Sequence, residues 1–156
     1  MESGERASSE MRLRPVGHVR NQLREPHPPH GTDFSRIESV IELLPEFAPA
    51  LDGVADYSHL IVLYWMHRIP PGAFALKVHP CGLAEMPLVG LFATRAPVRP
   101  NPLGLSLCRL LAVDDNRLKV RALDALDGSP VIDIKPYIPE QPPDWTVPDW
   151  LRPFLR

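Results

Sequence analysis

Residues 103–123 read LGLSLCRLLAVDDNRLKVRAL, and this stretch decides the fold. Two apolar-rich runs flank Asp114-Asp115-Asn116, residue types that bond to their own backbone and tolerate tight turns. Such runs on either side of such a turn predict a β-hairpin. Upstream, HLIVLYWMH (59–67) is nearly continuous in apolar residues, the pattern of a strand covered on both faces. MPLVGLFATR (86–95) reads as another apolar strand, and FALKVHP (74–80) as a short one. Nearer the start, MRLRPVGHVR (11–20) and RIESVIELL (36–44) are strand candidates, followed by one or two helical turns over Pro45–Leu51. Downstream, VIDIKPY (131–137) is the last. The expected fold is mainly β: a single-domain antiparallel or mixed barrel of seven or eight short strands with little helix, closed or nearly closed so that its edges are protected.

Around this core, residues 1–10 read as a flexible polar tail and 11–140 as the barrel domain. Residues 141–156 form a Pro/Trp-rich tail whose Trp145, Trp150 and Phe154 are too apolar to hang free; it is expected to pack on the domain or on a partner subunit. The 156 residues suit one domain with a real core. Twenty prolines work against long helices. With 17 Lys and Arg against 19 Asp and Glu, the formal charge of −2 creates no global basic field, so a polyanionic partner has to be met by local positive charge. Only Cys81 and Cys108 are present, which makes no disulfide framework and points to a reduced, cytoplasmic setting. No apolar run reaches membrane-spanning length, so no membrane association is expected. The chain has no GxGxxG, Walker loop, CxxC or HExxH, and its one close His/Cys pair, His79 and Cys81, lacks a second pair, so no metal is expected.

FATRAPVRPNPLGLS (92–106) is the most unusual stretch. Pro100 and Pro102 stiffen it and bias Arg99 and Asn101 toward extended geometry. Arg95 and Arg99 suit a carboxylate or phosphate, Asn101 offers an amide to read an edge, and Gly104 permits close approach of a ligand to backbone. A stiff turn joining two strands is the plainer alternative. In LDALDGSPVIDIKPY (123–137), Asp127-Gly128 reads as a turn. Asp133 alternates with apolar neighbours and shares a strand face with Lys135, its natural ion-pair partner. Asp124 ends a strand, where a carboxylate can reach a pocket mouth. His67, beside Arg68 at a strand end, is a better functional candidate than His59, and Cys108 packs mid-strand as a small hydrophobe.

Together, FATRAPVRPNPLGLS, DYSHLIVLYWMHR and LDALDGSPVIDIKPYIP resemble the TsaA-like, or TrmO, family over roughly residues 12–140. The resemblance implies a non-Rossmann β-barrel methyltransferase that uses S-adenosylmethionine, works as a homodimer, and methylates N6 of threonylcarbamoyladenosine beside the tRNA anticodon. Position by position, it places cofactor contacts on the Pro26, His27, Pro28 loop, on His67 and Arg68, on Arg95, on Leu105, and on Ala122, Leu123, Asp124 and Ala125. Departures in the core are small: Ala96 where serine is common, Leu103 where isoleucine is, Ser129 where threonine is. Longer members carry a further C-terminal domain, where this chain has its tryptophan-containing tail. Arg95 suits the cofactor's carboxylate. Arg99, Asn101 and Lys135 are assigned to the substrate, and Asp124 or His67 to the catalytic base.

Overall fold

The computed structural model describes residues 11–25, 32–140 and 142–155. Six strands close an antiparallel barrel in the order β1-β2-β7-β6-β3-β8. They are β1 (Gly17–Arg20), β2 (Glu38–Leu43), β3 (His59–Trp65), β6 (Leu103–Asp114), β7 (Arg117–Arg121) and β8 (Pro130–Pro136). The remaining two, β4 (Lys77–Val78) and β5 (Val89–Gly90), pair only with each other. The barrel is therefore smaller than the seven or eight strands read from the sequence.

The predicted hairpin is the β6–β7 pair. Asp115 takes the left-handed conformation at φ 52°, which Asp tolerates better than most residues. Asn116 ties the turn to β2: its Nδ2 donates to the Leu43 carbonyl at 2.6 Å, and its own carbonyl accepts from Leu43 N at 2.9 Å. Inward side chains recur at every second position, as the pleat demands. Val19, Ile41, Leu60, Val62, Cys108, Leu118, Val120 and Val131 fill the interior. Each large aliphatic among them contributes about 1.5–3 kcal/mol by leaving water.

Several strands are shorter than the sequence predicts. Pro15 delays β1 until Gly17, and a 3₁₀ turn over Phe34–Arg36 precedes β2. Of 86–95 only Val89–Gly90 is strand; Pro87 lies just before it, and the chain then coils into a 3₁₀ turn over Leu91–Ala93. β3 alternates instead of being covered on both faces: Leu60, Val62 and Tyr64 are buried, while Ile61, Leu63 and Trp65 on the outer side are half-exposed. β8 carries a bulge at Ile132, where its pairing with β3 jumps from Asp133 to Val131. In the C-terminal segment, a 3₁₀ turn spans Asp149–Phe154, and Trp145, Phe154 and Leu155 remain exposed.

Two glycines fix strand packing. A Cβ on Gly17 would sit 2.5 Å from the Glu42 carbonyl oxygen and 2.8 Å from Leu43 Cα, both backbone. A Cβ on Gly104 would sit 2.2 Å from the ring of Tyr64, its cross-strand partner. Gly104→Ala is expected to cost about 1–3 kcal/mol in urea unfolding, the usual range for overpacking. Gly17→Ala should cost more, because backbone cannot rotate aside as a ring can. Neutral behaviour of both variants would contradict the β1–β2 and β3–β6 registers.

Candidate active site

The residues between β3 and β6 fold back over one end of the barrel. Met66 N donates to the Pro102 carbonyl at 2.8 Å, pinning the start of this excursion to its end. Between it and the barrel lies a cleft of about 540 Å³, within the range of small-molecule sites. The β3 end supplies Tyr64, His67 and Arg68; the excursion supplies Thr94, Arg95 and Arg99; β6 supplies Leu103, Gly104 and Leu105. Asp124 and Ser129 come from the β7–β8 connection.

Asp124 is the acidic group of this wall, and it is held firmly. Tyr64 Oη donates to its Oδ1 at 2.6 Å, and Ser106 Oγ donates to the same oxygen. Tyr64 is buried, and burial followed by the negative charge of Asp124 pushes its hydroxyl far above the ordinary value, so it remains a donor. Tyr64 can occupy this place only because Gly104 has no side chain. What approaches Gly104 closely is thus an aromatic ring of the same chain. The β7 exit is turned inward at Ala122, which sits at φ 70°, a strained value for a residue with a Cβ. Its amide donates to the Ile37 carbonyl at 3.0 Å. After this turn Leu123 and Ala125 plug the core while Asp124 alternates into the cleft.

His67 contacts Ser129 through Nδ1 at 3.3 Å. Partial burial, then the adjacent Arg68 charge, hold its pKa below the ordinary 6.5; Asp127 opposes them. The imidazole is therefore neutral at pH 7. Arg68 and Arg95 form no ion pair among the described residues. Arg99 differs: its Nη1 donates to the carbonyls of Thr94 (2.9 Å) and Ala96 (3.2 Å), stapling the loop. Cys108 is buried and its thiol is pushed up to about 12, by burial and then by Asp124, so it is no nucleophile.

The cleft brings together His67, Arg68, Arg95, Arg99, Leu105 and Asp124 from the sequence reading. Ala122, Leu123 and Ala125 do not line it with side chains; Leu123 and Ala125 are spent in the core. Asn101 is exposed and lies outside the cleft wall, and Lys135 is exposed and paired with Asp133 at 2.8 Å. Pro26, His27 and Pro28 lie outside the described residues. The sequence reading missed Tyr64, Ser106 and Ser129. It also underrated Asp127, which does more than turn the chain. Asp127 accepts from Asn21 N at 3.0 Å and pairs with Arg24, while Asn21 Nδ2 bonds Ser39 Oγ and the Ala125 carbonyl, each at 2.9 Å.

Comparison with known proteins agrees with this architecture. Residues 18–141 match the family described as tRNA-methyltransferase O N-terminal domain. An Archaeoglobus fulgidus protein named S-adenosyl-L-methionine-binding protein is 46% identical over 131 residues, 83% of this chain and 91% of its own. A Methanothermobacter thermautotrophicus protein named "Probable S-adenosyl-L-methionine-binding protein" is 50% identical over 130 residues, 82% of this chain and 90% of its own. A crystal structure of TrmO from Pseudomonas aeruginosa superposes with a TM-score of 0.69 at 31% identity, covering 90% of this chain. The present chain spans only 62% of that longer protein. With four-fifths of its length matched by the family and these identities behind it, the chain belongs to the tRNA-methyltransferase O N-terminal domain family.

Proposed function

We propose that the chain binds S-adenosylmethionine in the cleft and transfers its methyl group to N6 of threonylcarbamoyladenosine at position 37 of tRNA. The observation that carries this reading is the convergence of Arg95, His67 and Asp124 on one cleft in a chain of this family. The wall fits the cofactor chemically. Arg95, without an ion-pair partner among the described residues, matches a carboxylate; Asp124, fixed as an acceptor, matches the cationic end. When bound, the cofactor supplies an electrophilic methyl group on a sulfonium centre.

The acceptor nitrogen belongs to a urea-like group whose lone pair is delocalised, so it attacks well only as its proton leaves. Two residues are candidates to take that proton. Asp124 has one oxygen already accepting from Tyr64 and Ser106, which suits a fixed electrostatic partner. His67 is neutral at pH 7 and is assigned the base role. Arg99, anchored by its loop carbonyls, holds the substrate at the rim. The protein is proposed to act as a cytoplasmic homodimer through the outer face of β3 and β6. Leu103, Leu105 and Leu107 are exposed there, and Leu105, at 61% exposure, also lines the cleft.

Methyl transfer from labelled cofactor to threonylcarbamoylated tRNA tests the reading. His67→Gln should slow transfer at saturating cofactor by about 10²–10⁴-fold, the usual worth of a positioned base. Wild-type turnover in that variant removes the base assignment. Arg95→Met and Asp124→Asn should instead lose cofactor affinity in calorimetry. Binding of cofactor by the wild type without transfer to any tRNA would favour a binding protein, the property that the archaeal relatives' names state.

The pH profile carries a second expectation. Neutral His67 is the active form, and its pKa is lowered, so the acid limb of the activity profile should lie below the ordinary 6.5. Arg68→Met removes a charge that depresses this pKa, so the acid limb should move upward toward 6.5. A limb that stays in place would show that another group controls it.

A further inference from the structure

Phe92 is 80% exposed, yet it stands on a rigid mount. Its neighbour Leu91 is buried and donates its amide to the Leu76 carbonyl at 2.9 Å. Thr94 closes the same turn, with its amide (3.1 Å) and hydroxyl (2.8 Å) both donating to the Leu91 carbonyl. An exposed benzyl group on a fixed turn gains nothing from solvent and contributes nothing to the core. One of its faces already has a partner: the Arg99 guanidinium lies over the ring, 5.7 Å from the centroid. Arg99 is itself held by the Thr94 and Ala96 carbonyls, and it lines the cleft. The ring and the cleft therefore share one arginine as a common wall.

Charge indicates the kind of partner. On β7, Lys119 and Arg121 are each paired with Glu38 at 2.7 Å, and Arg117 lies 3.9 Å from Glu42. Two carboxylates there face three cations, so the charge of that face is offset in part. At the cleft rim Arg68, Arg95 and Arg99 form no ion pair among the described residues, and the hydrogen bonds of Arg99 go to carbonyls. An exposed aromatic face beside uncompensated arginines suits an unpaired base with its phosphate: the base stacks on the ring and the phosphate meets a guanidinium.

We propose that Phe92, braced by Arg99, is a stacking platform for an unpaired base next to the nucleoside held in the cleft. The proposal rests on the RNA-methylation reading and extends it to a second contact with the substrate. Every base has a π-face, so this contact supplies affinity and placement without demanding a particular neighbouring base.

The test uses the full chain and a fluorescently labelled RNA stem-loop with an unpaired loop, beside a continuous RNA duplex of the same stem. Anisotropy should show the stem-loop bound about tenfold more weakly by Phe92→Leu, and at least as tightly by Phe92→Trp as by wild type. Duplex binding, cofactor affinity and sedimentation should be the same in all three proteins. Wild-type stem-loop affinity in Phe92→Leu, with methylation intact, overturns the platform and leaves the enzyme reading standing. A loss accompanied by altered sedimentation overturns it too, by making Phe92 a contact between copies. If wild type binds no RNA at all, the RNA reading itself fails and the platform falls with it.

Discussion

The stacking of the Tyr64 ring on Gly104 is the constraint through which the barrel and its cleft depend on each other. A hydrogen at one position of β6 leaves space for a ring from β3, and the β3–β6 register places the two opposite each other. A buried phenol must find a partner for its hydroxyl, and it finds Asp124. Ser106, two residues beyond Gly104 and hence on the same inward face, reaches the same oxygen. Slipping this register by one residue would turn Gly104 and Ser106 outward together, taking away one donor to the carboxylate and the space that holds the Tyr64 ring. Strand pairing and site geometry are thus one fact.

The fold was legible where its signals are local. The Asp-Asp-Asn turn between two apolar runs announced the β6–β7 hairpin because its residue types set backbone angles directly. What failed were inferences from apolar content alone. MPLVGLFATR looked like a strand, but between Pro87 and the 3₁₀ turn over Leu91–Ala93 only two residues pair, and its hydrophobes serve a coil and an exposed ring. HLIVLYWMH looked doubly covered, yet Ile61, Leu63 and Trp65 on its outer face stay half-exposed. Apolar composition reports the wish to leave water and says nothing of which surface answers it.

Site residues divide along a similar line. Charged groups that stand out in a sequence, such as Arg95, His67 and Asp124, were found and do share a cleft. Lys135 stood out equally but is paired with Asp133, a partner two residues away on its own strand. Tyr64 and Ser106 were invisible because each sits in an ordinary inward position of an apolar strand; only the cross-strand register reveals that their hydroxyls meet. Asn21 and Asp127 are more than a hundred residues apart, and no local pattern joins them. Legibility thus ran out at long-range polar pairing.

The slight net negative charge raises the question of how such a chain could handle a polyanion. The structure distributes its charges unequally. Glu38 accepts from both Arg121 and Lys119, and those bonds hold its carboxyl below the ordinary value. Exposed pairs of this kind add little to stability. Their larger consequence is electrostatic, because they offset part of the positive charge of β7. The arginines at the cleft rim have no such partners among the described residues. A chain of net charge −2 can therefore still present arginines without ion-pair partners at the cleft rim. Over distances beyond about 8–10 Å, salt screens the overall charge, so the local rim governs what docks.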